Sequence, residues 1–118
     1  MCGIAGIFNL EEREPVGESE IRQMLGMIRH RGPDEFGIYL GGQVGLGSAR
    51  LSIIDLSTGQ QPIGNEDGTL WIVFNGEIYN YRALRSRLEV KGYDFLSNSD
   101  TEVLLHLYAE LGHEMLRE

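Results

Sequence analysis

The sequence predicts an α+β fold in which hairpin-connected antiparallel strands lie in layers against separate helices. Three observations carry that expectation. Short apolar runs rich in small and β-branched residues recur along the chain, glycine-containing turn signals separate several of them, and helices are marked elsewhere by apolar residues at helical spacing in two segments and by end signals in a third.

The first run, GIAGIF at 3–8, suits a buried strand whose flat faces pack closely. A polar turn around Pro15-Val16-Gly17 follows. Ile21, Met24, Leu25 and Ile28 then fall at i, i+3, i+4 and i+7, the stripe of an amphipathic helix that tolerates Gly26. That helix should end before Gly32-Pro33, because proline disfavours helical backbone in the residue ahead of it. Residues 36–40 and 43–48 read as a hairpin turning on Gly41-Gly42, and 49–54 as a continuing strand before the loop STGQQP at 57–62. Asn65-Glu66-Asp67-Gly68 is a second turn, followed by a strand over 69–75.

Asn80 is a candidate N-cap for a helix to Lys91, closed by Gly92. Residues 93–96 read as a short strand. Ser99 and Glu102 have capping-box spacing ahead of the stripe Val103, Leu104, Leu107, Tyr108 and Leu111, in a helix expected to run to Glu118 without a closing turn. No internal repeat, linker or low-complexity segment interrupts this order.

At 118 residues the chain amounts to one domain at most, and 42% apolar against 24% charged residues is a globular balance. A formal net charge of −8 argues against nucleic acid or an anionic membrane as partner. The small Arg29-His30-Arg31 cluster does not reverse it. A single cysteine forms no internal disulfide, so no oxidising compartment is implied. Residues 2–8 are too few for a membrane span, and no basic residue precedes them as in a signal peptide. The expected location is cytoplasmic.

The one cysteine, Cys2, directly follows the initiator methionine. Such a residue could simply fill core space. It could also be an N-terminal nucleophile: removal of Met1 would free an α-amine with a reference pKa of about 7.7–8.0, suited to accept the thiol proton. No histidine is then needed, and His30, His106 and His113 form no pattern with Cys2; they read as surface or packing residues.

A thiolate attacking an amide builds charge on oxygen and needs an oxyanion hole. Asn75 and Gly76 could donate a side-chain and a backbone N–H; equally, Asn-Gly could be only a turn. Arg50, in an otherwise small and apolar stretch, could grip a carboxylate, or could be an edge-strand arginine with its head in water. Glu77 and Asp100 could receive an ammonium group, although an acidic residue at a helix start is ordinary.

Taken together, MCGIAGIF, HRGPDEFG at 30–37, GSARLSIIDLSTGQQP at 47–62, FNGEIYNY at 74–81 and SDTEVLLHLY at 99–108 resemble the class II glutamine amidotransferase domain, most closely the N-terminal domain of glutamine-hydrolysing asparagine synthetases. The resemblance covers almost the whole length, with the motifs in family order.

It implies an N-terminal-nucleophile four-layer sandwich, two antiparallel sheets between helical layers, of which 1–118 would be the N-terminal part. It also implies Cys2 as nucleophile after loss of Met1, Asn75 and Gly76 as oxyanion hole, Arg50 as clamp for the glutamine α-carboxylate, and Glu77 and Asp100 as acceptors for its α-ammonium. The reaction would be the glutaminase half of asparagine synthesis, releasing ammonia for an activated acceptor, aspartate. No metal or cofactor is expected in this segment. ATP and magnesium would serve the synthetase domain that follows in family members, and that missing domain would be the partner. A partial sandwich should expose strand edges and an apolar face, so a homo-oligomer is a further expectation. Two other readings remain: a glutaminase serving a different acceptor, and a non-catalytic module that retains Met1, where the Cys2 nitrogen would be an amide and no base.

Overall fold

One strand, a helix, four strands and two helices follow one another in the computed structural model, which describes residues 2–11, 14–51 and 60–118. The elements are β1 (Gly3–Phe8), α1 (Glu18–Met27), β2 (Glu35–Gly41), β3 (Val44–Arg50), β4 (Ile63–Gly64), β5 (Trp71–Ile72), α2 (Tyr81–Val90) and α3 (Asp100–Leu111), then a 3-10 segment, Gly112–Arg117. Both sheets are antiparallel: β1-β3-β2 with β3 in the centre, and the short pair β4-β5. The architecture is therefore α+β.

Helix α1 lies across the larger sheet and buries Ile21 and Leu25 completely, with Val16 and Ala49 closing the cluster. Full burial of such a side chain stabilises the fold by roughly 1.5–3 kcal/mol. The close approach depends on glycine: a Cβ at Gly47 would stand 3.0 Å from both Ile21 Cγ2 and Leu25 Cδ2, and one at Gly45 2.7 Å from Val16 Cγ1. The start of α1 is half of a capping box, since Glu20 accepts from the Gly17 N–H at 3.4 Å while glycine has no side chain to return the bond.

A second core joins α2 and α3 through Leu84, Leu88, Val103 and Leu107, with Tyr93 and Phe95 packed beside it. Helix α3 also contacts β4 and β5, so it bridges the helical pair to the small sheet.

Several expectations are corrected. The hairpin turn is Gly42-Gln43, one residue later than Gly41-Gly42, with Gly42 at φ 59°. The strand expected over 69–75 shrinks to Trp71–Ile72, and two residues further on the Phe74 N–H goes to a side chain, Gln61 Oε1 at 2.6 Å. Residues 93–96 form no strand: Glu102 takes the Leu96 and Ser97 N–H groups at 2.7 and 2.8 Å, which a neighbouring strand would otherwise hold.

That choice also undoes the capping box. Ser99 still caps Thr101 N–H at 3.2 Å, but Glu102 turns to the preceding loop. Asn80 flanks α2 without a side-chain cap, and Gly92 follows the helix at φ 97°. Helix α3 does close, at Gly112 with φ 59°, instead of running on to Glu118. The β1 strand is buried on one face only, leaving Ile4 and Phe8 exposed on the other. The expected continuation of β3 ends at Arg50, and 52–59 lie outside the described residues.

Candidate active site

Register places the site. Gly3 pairs with Ala49 and Arg50 with Glu35, so Cys2 (one residue before Gly3), Arg50 and Glu35 stand in a row across the end of β1, β3 and β2. Residues directly opposite in a sheet share a face. That face is the one away from α1, since Gly45, Gly47 and Ala49 of the alternate set meet the helix. Arg50 thus caps the central strand, not an edge.

A small cleft of about 40 Å³ opens on this face, lined by Glu35, Gly37, Ser48, Arg50, Gln60 and Gln61 among others. Arg50 Nη1 lies 3.8 Å from Glu35 Oε2, and Gln60 Nε2 donates to Glu35 Oε1 at 2.6 Å. The Gln61 backbone lies flat on β2 at Gly37. A Cβ there would fall 1.7 Å from the Gln61 carbonyl oxygen, so only glycine permits the contact.

Cys2 is a partly buried free thiol whose backbone carbonyl accepts two hydrogen bonds: Asn75 Nδ2 at 3.0 Å and Arg31 Nε at 3.3 Å. These donors arrive from the loop after β5 and the turn after α1, so the first residue of the site is fixed from two distant segments. An asparagine amide carries two N–H groups. With one on the Cys2 carbonyl, the other remains for a second acceptor beside Cys2.

The Asn75-Gly76-Glu77 loop is exposed but anchored at both flanks. On one side Phe74 N–H is held by Gln61; on the other Ile78 N–H donates to Asp100 Oδ2 at 2.9 Å. Asp100 opens α3 and so does more than favour a helix start: it ties the loop to the helix. Gly76 packs under the Phe74 ring, where a Cβ would come within 2.7 Å of Cζ.

Of the residues singled out in the sequence, the structure thus brings Cys2, Arg50 and Asn75 to one sheet end, with Gly76 and Glu77 following in the same loop and Asp100 fastening it. His30 and His113 are exposed, and His106 is buried against Phe95 and Tyr93. Arg31, Glu35, Gln60 and Gln61 were missed. Arg31 lies within HRGPDEFG, where the sequence shows only a positive charge. Glu35 shares that stretch and Gln60 and Gln61 lie in the one at 47–62, but their contacts follow only from strand register and from bonds between segments.

A family model described as a glutamine amidotransferase domain matches residues 1–118. The chain is 52% identical over 116 residues to asparagine synthetase [glutamine-hydrolyzing] 1 of Bacillus subtilis, covering 97% of this chain and 18% of that protein. It is 40% identical over 116 residues to asparagine synthetase B [glutamine-hydrolyzing] of Escherichia coli, covering 98% and 21%. Asparagine synthetase [glutamine-hydrolyzing] 3 of Arabidopsis thaliana is likewise 40% identical, with 98% and 20% covered. The chain spans about a fifth of the length of these relatives.

Proposed function

The chain belongs to the glutamine amidotransferase domain family, and from that premise we propose that it carries the glutaminase half-reaction of a glutamine-hydrolysing asparagine synthetase. The observation that carries the reading is the Asn75 side-chain amide on the Cys2 carbonyl at 3.0 Å, at the sheet end where Arg50 also stands.

With Met1 removed, the Cys2 α-amine accepts the thiol proton, and Sγ attacks the side-chain carbonyl carbon of glutamine. Asn75 Nδ2–H and the Gly76 N–H stabilise the oxygen as its charge develops. The C–N bond then breaks, and the leaving nitrogen takes the proton from the ammonium to depart as ammonia. A water, deprotonated by the same amine, attacks the thioester, and glutamate leaves with Cys2 regenerated. Arg50 grips the α-carboxylate, and Glu77 and Asp100 receive the α-ammonium, so an amino acid is held by its charged end while the amide meets the thiol.

The acceptor in this reading is aspartate, activated with ATP and magnesium by the further length that the relatives have. Among the described residues no three His, Cys, Asp or Glu side chains come together to hold a metal ion, and every step above uses glutamine, water and protein groups alone. No helix among them is long and apolar enough to cross a membrane, in keeping with the cytoplasmic location that we propose.

Intact mass before and after incubation with an electrophilic glutamine analogue tests the proposal. Loss of the methionine mass with one stoichiometric adduct, absent in Cys2→Ala, is expected. A full-length mass with no adduct would overturn it.

A further inference from the structure

The geometry points to Gln61 as a positioning residue that holds the Asn75-Gly76-Glu77 loop in register with Cys2, a role that rests on the glutaminase reading above. Its side chain is an amide bridge. Oε1 accepts from Phe74 N–H at 2.6 Å, immediately before Asn75, while Nε2 donates to Thr101 Oγ1 at 3.3 Å. Thr101 is buried in the first turn of α3, next to Asp100, whose carboxylate holds Ile78 N–H on the far side of the loop. One helix turn therefore grips the loop twice, directly after Glu77 and, through Gln61, directly before Asn75.

The backbone of Gln61 is itself fixed, because its carbonyl rests on Gly37 of the central sheet's β2 strand. Gln61 thus connects the sheet that bears Cys2 and Arg50, the loop that bears the oxyanion donors, and the helix that bears Asp100. Without the bridge, the Phe74 amide loses its acceptor and the loop is pinned on one side only. A donor displaced by about 1 Å costs on the order of a hundredfold in rate.

Gln61→Met keeps length and removes both hydrogen bonds; Thr101→Val removes only the hydroxyl. Both should lower kcat for glutamine hydrolysis about ten- to a hundredfold while KM stays within about twofold, because donors aimed at the developing oxyanion act in the transition state. Gln61→Glu should recover much of the rate, since its carboxylate still accepts from Phe74 N–H and the Thr101 hydroxyl can turn to donate. Alkylation of Cys2 by iodoacetamide, which needs no oxyanion loop, should proceed equally in all of them. Parallel falls in kcat and in melting temperature, unrelieved by Gln61→Glu, would reduce Gln61 to a structural residue and overturn the proposal. Amide exchange separates this from the parent reading: the Phe74 N–H should exchange at least tenfold faster in Gln61→Met while Val103 is unchanged. A wild-type chain without glutaminase turnover sinks the parent reading, whereas unchanged Phe74 exchange sinks the tether.

Discussion

Cys2 carries a carbonyl that two side chains hold, and the consequences divide between them. Asn75→Ala removes a brace on Cys2 and the proposed oxyanion donor, so kcat for glutamine hydrolysis should fall about 10²- to 10³-fold. Single-turnover kinetics, with circular dichroism to verify folding, measure it. Arg50→Lys keeps the charge but loses the planar fork, and should raise KM about tenfold with a smaller change in kcat. A KM unchanged by that substitution would remove Arg50 from the α-carboxylate site.

Packing of α1 on β3 shows why small residues recur in the GLGSAR stretch: Gly45 and Gly47 leave room for Val16, Ile21 and Leu25. Leu25→Ala should destabilise the fold by about 2–5 kcal/mol in urea titration. Leu10→Ala, at a position 83% exposed, should stay within about 0.5 kcal/mol.

Helix α3 contributes a pH dependence. Burial alone pushes the Glu102 carboxyl up, but the Ser97 hydroxyl, the Leu96 and Ser97 N–H groups and His106 outweigh it and hold the carboxyl below its ordinary value of 4.5. A depressed carboxylate stabilises the fold fully above its unfolded pKa, and that contribution is lost as pH falls through the folded value. Stability should therefore drop on acidification below about 4.5, and Glu102→Gln should flatten that slope while lowering stability at neutral pH. An identical acid slope in the variant would place the dependence elsewhere.

At the same scale the limits of sequence reading become physical. Periodicity located α1 and α3 because their stripes face a core, as Ile21 with Leu25 and Val103 with Leu107 show, whereas end signals at Asn80 and Gly92 marked α2, which buries Leu84 and Leu88. Periodicity failed at 69–75 and 93–96, where side chains of Gln61 and Glu102 take the backbone donors that a sheet would have used. Apolar periodicity carries no information about a polar competitor outside the run, here 13 residues away for Gln61 and 6 for Glu102. The site residues quoted from the motifs converge for the same reason that Gln61 and Glu35 were missed: motif likeness names positions, whereas register and bridging exist only after folding.

Across the whole molecule, one core lies under α1 and a second between α2 and α3, and an apolar face of the larger sheet stays open. Ile4 and Phe8 are 48% and 62% exposed on the side of β1 away from α1, along an edge strand. Exposed edges with apolar side chains favour pairing between copies, while a net charge of −8 opposes it. Light scattering should show association that rises with concentration and with salt, and Phe8→Ser should weaken it. A sharp monomer peak at all concentrations would count against that expectation.

The bond from Asn75 to Cys2 spans 73 residues, and this distance sets a clock during synthesis. At about 5–20 residues per second the ribosome takes roughly 4–15 seconds to pass from one to the other. Through that interval the amino terminus is still a loose nascent end that an aminopeptidase can reach. Once β3 pairs with β1 and the Arg31 and Asn75 donors fasten the Cys2 carbonyl, the same end is docked into a sheet. On the proposed reading, trimming of methionine and closure of the fold share that interval, and it is the trimming that uncovers the amine.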